Sequence, residues 1–160
     1  GINEIFLKEI LLEDRKNAAY DFFDYAHALI RTIYSVNKPI FSLVSGPAVG
    51  IGHEIALLSD VIIASSTASL GFPPGYNFVL LGSLTSSRFG IRLVEPAKEG
   101  SNADYVLGHD NFIEDAKNKI HELDTLKYHL NRRFRLKGFE EAMLFEKDNY
   151  FSSSRQSVTK

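Results

Sequence analysis

Charge nearly vanishes from the middle of this chain. Between residues 38 and 94 the only charged side chains are Lys38, Glu54, Asp60, Arg88 and Arg92, whereas residues 1–37 hold ten and residues 95–160 hold twenty-three. A stretch this long and this poor in charge cannot be covered by water along its length, so it has to form the interior, with the mixed-sign flanks supplying helices that each keep one solvated face. It is not a bilayer span, because Pro47, Gly50, Gly52, His53 and Glu54 interrupt its longest weakly charged run. The 160 residues amount to one domain, and 44% hydrophobic with 24% charged is the composition of a globular chain rather than of a disordered or collagenous one. A net charge of −2 offers no field for nucleic acid or an anionic membrane, so neither is expected as a partner. The lack of cysteine excludes disulfide frameworks, thiolate nucleophiles and cysteine zinc sites, and leaves the cytoplasm as the default location. Residues 1–12 have no basic segment and no small-residue cleavage pattern, so they do not read as a signal peptide, and a chain opening on Gly1 reads as cut at its start.

Apolar side chains at Ala18, Phe22, Ala26, Ile30 and Ile33, widened by Phe23, Leu29 and Tyr34, predict an amphipathic helix over residues 17–36. Asn37-Lys38-Pro39 ends it, since a residue before proline avoids the α region. Residues 40–44 read as a buried strand, Ser45-Gly46-Pro47 as a turn, residues 51–58 as a helix, residues 61–64 as a second buried strand and residues 71–75 as a Gly/Pro loop. Strands that run apolar without alternation, joined by a helix, suit a sheet covered on both faces, which makes the fold α/β. Further helices are expected at residues 112–121, 125–136 and 139–150, the last two separated by Gly138.

The segment with the most chemical content is Ser45-Gly46-Pro47-Ala48-Val49-Gly50-Ile51-Gly52-His53-Glu54. A strand runs into glycines that open a helix, and the first amides of a helix have no internal partner and sit at its positive end, so the turn can hold an anion or a developing oxyanion. The plainer reading is that Gly50 and Gly52 only let the helix pack close to the strand. No phosphate loop is present, because no lysine lies between Lys38 and Lys98. A zinc-protease helix is excluded by Leu57, which stands where a second histidine belongs, and a nucleophile elbow by the absence of serine from Gly50-Ile51-Gly52. No metal site is expected.

Asn37-Lys38-Pro39-Ile40, the glycine turn through Ile55-Ala56, Ser59-Asp60-Val61-Ile62-Ile63-Ala64 and Ala68-Ser69-Leu70-Gly71-Phe72-Pro73 resemble, in order and spacing, the crotonase family, the enoyl-CoA hydratases and isomerases. The likeness is continuous from about Lys38 to Phe89 and weaker over residues 1–16 and 125–155. It implies a ββα spiral with C-terminal helices, shortened or truncated at the N-terminus, with residues 1–107 as the spiral core and residues 108–160 as a helical region of the same domain. It also implies an acyl-CoA thioester as the bound partner, assembly as a homotrimer or dimer of trimers, and no cofactor beyond the coenzyme A of the substrate. The family's chemistry places the thioester oxygen between two backbone N–H groups that stabilise an enolate, each such donor being worth roughly 3 to 4 kcal/mol. By position these are the amides of Ile51 and Ile2.

The resemblance also shows where this chain departs. A hydratase uses two carboxylates; one maps onto Glu54, but the other maps onto Pro74, and residues 61–94 contain no Asp or Glu. The isomerase glutamate would lie in the loop over residues 74–83, at about Leu81 or Gly82. Glu54 is therefore the single candidate catalytic group, its alternative being a carboxylate on a helix surface or interface. His53 and Tyr76 read as packed or rim residues, and Asp60 as a structural cap or pair ahead of its strand. Lys127, His129, Arg132, Arg133, Arg135 and Lys137 form a basic cluster that is either a solvated helix face or, at Lys127, Arg132 and Arg133, a contact for the CoA phosphates. The family's extra helix and loop before residue 103 are reduced here to Lys98-Glu99-Gly100-Ser101-Asn102. The leading expectation is an enzyme that forms a thioester enolate, for isomerisation, hydration or hydrolysis, with Glu54 shuttling the proton or positioning water. The alternatives are a catalytically degenerate acyl-CoA-binding or interaction protein and, behind it, a helical adaptor.

Overall fold

The computed structural model describes residues 16–74 and 92–124, together with Glu141 and Leu144. The helices expected at 125–136 and 139–150 lie outside the described residues except for Glu141 and Leu144, both helical. Ile2, Tyr76, Leu81, Gly82, Arg88 and the whole basic cluster lie outside them too.

The described residues open with helix α1 (Lys16–Ser35), whose buried side chains include Phe23, His27 and Ile30. Leu29, expected in the apolar stripe, is instead 48% exposed. It stands two positions after His27, about 200° away round the helix at 100° per residue. Strands β1 (Phe41–Val44) and β2 (Pro47–Val49) follow, then helix α2 (Ile51–Leu57), strands β3 (Val61–Ser65), β4 (Ser69–Gly71), β5 (Glu95–Pro96) and β6 (Tyr105–Leu107), and helix α3 (Phe112–Glu122).

Among the described residues the strands form two three-stranded sheets. One is parallel, in the order β1-β3-β6; the other runs β2-β4-β5, with β2 and β4 parallel and β4 and β5 antiparallel. The first sheet is covered on both sides, as its unbroken apolar runs require. Ile62 and Ala64 face α2 and the second sheet, packing with Ala56, Leu57, Leu70 and Ala103, while Val61 and Ile63 face α3 through Phe112 and Ala116. All five residues of β3 are buried, which places the least charged part of the chain at its centre.

Two expectations need correction. Pro47 does not end a turn; it opens β2, paired with Ser69. Gly50 N–H donates to Gly71 O (2.9 Å), so backbone alternation turns Ala48 toward β4 as well and Pro47 away from it, where its missing N–H costs no ladder bond. Gly71 is the last residue of β4 rather than the start of a loop, and Phe72 bridges Leu93 beyond it. The short segment at 98–102 is a tight turn: Gly100 has φ +73°, and the buried Asn102 accepts from Lys98 N–H (2.7 Å) and donates to Pro96 O (3.1 Å).

The parallel register is held by one device used twice. Asp60 N–H donates to Ile40 O (2.8 Å), while Ile40 N–H donates to the Asp60 carboxylate (2.6 Å). Asp104 and Ile62 repeat the pair at 2.9 and 2.6 Å. Each aspartate stands just before its strand and ties that strand's start to the previous one, so the structural reading of Asp60 holds. Asp104→Ala leaves the buried Ile62 N–H without its acceptor, and a loss of about 1 to 3 kcal/mol is expected in urea unfolding. A loss below about 0.5 kcal/mol would show that the bond is dispensable.

Candidate functional site

Gly50 is the N-cap of α2, with φ 59° and ψ −122°, a conformation open to glycine and strained for other residues. Its N–H is used by Gly71 O and its carbonyl accepts from Glu54 N–H (3.0 Å), which fixes the first turn. Ile51 and Gly52 follow at N1 and N2, where amides have no partner within the helix. Among the described residues, no acceptor takes a hydrogen bond from Ile51 N–H. Among the described residues, a Cβ at Gly52 would meet nothing within 4 Å, so none of them requires glycine there for close packing.

Glu54 is 1% exposed. The surface reading of this carboxylate is therefore overturned. It stands three residues after Ile51, hence on the same side of the helix. His53, also 1% exposed, is packed rather than at a rim, its ring meeting that of Phe72 edge to face at 5.4 Å and 78°. Pro74, onto which the resemblance maps the second acid, is exposed in a turn. Of the expected site residues, the structure thus brings Gly50, Ile51, Gly52 and Glu54 together in one turn, while Ile2, Lys127, Arg132 and Arg133 lie outside the described residues.

A cleft of roughly 430 Å³ opens beside the same helix, lined by Ser42, Ser45, Ala48, Gly52, Ile55 and Ala56 among others. Gly52, Ile55 and Ala56 are spaced by three and four, so they form one face, and Glu54 lies about 200° round the axis from Gly52. Glu54 is not among the cleft's lining residues. Ile55 on this face is 41% accessible, an apolar residue in a charge-poor helix that does not join the core.

A second polar group was missed by sequence reasoning. Ser65 Oγ and Thr67 Oγ1 lie 3.1 and 2.9 Å from His109 Nδ1, and 3.1 Å from each other, where β3 and β6 end side by side. Ser65 is fully buried, so its hydroxyl ties two loops together and is not offered to a substrate. Only the parallel pairing of β3 with β6 brings these residues near one another, and no local pattern records that pairing. Among the described residues, no three His, Asp or Glu side chains gather into a metal site, and no helix is long and apolar enough to cross a membrane.

Comparison with known proteins adds the following. The family model described as enoyl-CoA hydratase/isomerase matches residues 7–98. The 2,3-dehydroadipyl-CoA hydratase of Escherichia coli (strain K12) is 44% identical over 41 residues, 26% of this chain and 16% of that protein. The chromodomain Y-like protein of Mus musculus is 34% identical over 68 residues, 42% of this chain and 12% of that protein. The chain thus spans less than a fifth of either relative. An enoyl-CoA hydratase of Thermoplasma volcanium GSS1 superposes with a TM-score of 0.64 at 20% identity, over 90% of this chain and 66% of that one, a likeness of fold.

Proposed function

Since the chain belongs to the enoyl-CoA hydratase/isomerase family, we propose that it processes an acyl-CoA thioester by forming its enolate at the first turn of α2. The observation that carries this reading is Glu54, a carboxylate buried to 1% in a charge-poor helix, three residues beyond an amide held at the helix opening. Burying a carboxylate is costly, and a buried acid beside a preorganised donor is the arrangement that proton transfer next to a carbonyl needs. In the proposed step the C–H bond next to the thioester carbonyl breaks and the proton passes to Glu54. The electron pair forms the C=C bond of the enolate, and the negative oxygen accepts from Ile51 N–H. Ile2 N–H is the proposed second donor, and Lys127, Arg132 and Arg133 the proposed contacts of the CoA phosphates. Return of the proton to another carbon gives isomerisation. Hydration by two carboxylates is not supported, because Pro74 holds the second position. Coenzyme A enters as part of the substrate, and the working form is a homotrimer or dimer of trimers.

The enolate step can be watched without knowing the natural acyl chain. In D2O, butyryl-CoA bound to the protein should lose the hydrogens next to its carbonyl to solvent, read by NMR as loss of that signal. Binding with no exchange favours a second reading, an acyl-CoA-binding or interaction protein that has given up catalysis. Two observations support that second reading: an exposed proline in the position of the second acid, and a cleft that opens on the face of α2 away from Glu54.

A further inference from the structure

Residues 50 and 53 flank the two groups assigned above, and both are held by the end of β4. Gly50 N–H donates to Gly71 O at 2.9 Å, and the His53 ring meets the Phe72 ring at 5.4 Å. The end of β4 is in turn gripped from its other side. Phe72 N–H donates to Arg92 O and Val94 N–H to Phe72 O, both at 2.9 Å. Gly71 fits in this grip only because it has no side chain: at its φ of +139°, a Cβ would stand 2.5 Å from Leu93 O, 2.7 Å from Leu93 C and 2.8 Å from Val94 Cα. These are backbone atoms, so no side-chain rotation relieves the overlap.

We propose that Gly71 and Phe72 are positioning residues that seat the first turn of α2 and so aim Glu54 and the Ile51 amide at a bound thioester. The inference rests on the functional reading above and extends it to two residues that touch neither substrate nor proton. A side chain at position 71 must push β4 away from the 92–94 segment. Gly71 O then moves against Gly50 N–H, and the helix opening moves with it. Displacements well under the length of a bond-making contact are costly at such a site, where about 1 Å of misplacement can cost about a hundredfold in rate. Phe72 acts through the ring edge: leucine keeps most of the apolar volume but gives up the directional contact with His53.

Gly71→Ala is expected to slow exchange of the butyryl-CoA α-hydrogens by about tenfold or more, with Kd for butyryl-CoA changed by less than about threefold. Phe72→Leu is expected to move both quantities in the same sense by a smaller amount. Phe112→Leu, buried on the opposite side of the parallel sheet, is the control for lost packing; it should lower the melting temperature and leave exchange per folded molecule at the wild-type value. A second readout needs no substrate. Protection of the Glu54 amide, which donates to Gly50 O, should fall several-fold in native-state hydrogen exchange for Gly71→Ala and not for Phe112→Leu. Wild-type exchange rates in both Gly71→Ala and Phe72→Leu, or unchanged Glu54 protection in Gly71→Ala, would overturn the positioning role. A wild-type protein that binds butyryl-CoA without exchange would overturn the functional reading instead, and the amide protection would still decide whether β4 seats the helix.

Discussion

Replacing Glu54 with glutamine is expected to cut the α-hydrogen exchange of bound butyryl-CoA by about 10² to 10⁴-fold and to leave its Kd within about threefold of wild type. Glutamine has nearly the volume of glutamate and can occupy the same buried seat, so the helix and the cleft should keep their shape. What it lacks is a site that takes a proton near neutral pH. The enolate step would then lose its base while the Ile51 amide, a backbone group, stays where it is. Residual exchange above water would measure the share contributed by that amide. The melting temperature is the control, because a carboxamide that fails to satisfy the neighbours of Glu54 would show there first. A Glu54→Gln protein exchanging at the wild-type rate would remove Glu54 from the reaction and leave the cleft beside Gly52 and Ile55 as the place to look for chemistry.

The second large effect concerns stability. Ile62 lies at the centre of the parallel sheet, with β1 on one side and β6 on the other, and is fully buried. Its cluster is built mostly from small residues, Ala56, Ala64, Ala68 and Ala103. Short side chains on a paired backbone cannot reach into a vacated volume, so the cavity left by Ile62→Ala should persist. The expected cost is therefore in the upper part of the usual range of about 2 to 5 kcal/mol. For a chain of this size that corresponds to a fall in melting temperature of roughly 7 to 20 °C. Ile113→Ala is the contrast, since Ile113 is 51% exposed; it should stay within about 0.5 kcal/mol of wild type. A cost below about 1 kcal/mol at Ile62 would contradict its place in the middle of the sheet.

The two substitutions also show which parts of the molecule could be read from the amino-acid order. The buried run through Ile62 was legible, because β-branched residues without alternation have few other uses. The helix at Lys16–Ser35 was legible from apolar spacing, the one opening after Gly50 from a run without breakers beyond Gly52, and the one beginning at Phe112 from the mixed-sign charge of the C-terminal flank. Strand β2 was not, because it is three residues long and begins with a proline, and the feature that permits that proline, a position facing away from β4, exists only once β4 is beside it. Strand β4 was hidden by the glycine and prolines at its end. At the site, Gly50, Ile51 and Glu54 were legible as a turn followed by a lone acid. The burial of Glu54 was not, since a charge in a weakly charged helix reads equally well as its solvated edge. Gly71 could not be singled out either: its reason for being glycine is the backbone at Leu93 and Val94, about twenty residues away along the chain. Asp104 had a usable signal, an acid just before a strand as at Asp60, but recognising it as a clamp requires the strand to which it reaches.

The paired aspartates carry an implication for how the chain acquires its shape. The Asp60 clamp closes a loop of 20 residues and the Asp104 clamp a loop of 42, and both are needed to complete the parallel sheet. Loop closure grows with the logarithm of length, so the longer one costs only about 0.7 kcal/mol more in chain entropy. That small difference still sets an order. The unit from Ile40 to Ser65 can assemble from nearby parts, whereas Tyr105–Leu107 must find an edge that β1 and β3 have already built. The last strand is thus expected to dock on a prepared template, with the tight turn at Gly100 and Asn102 holding its approach.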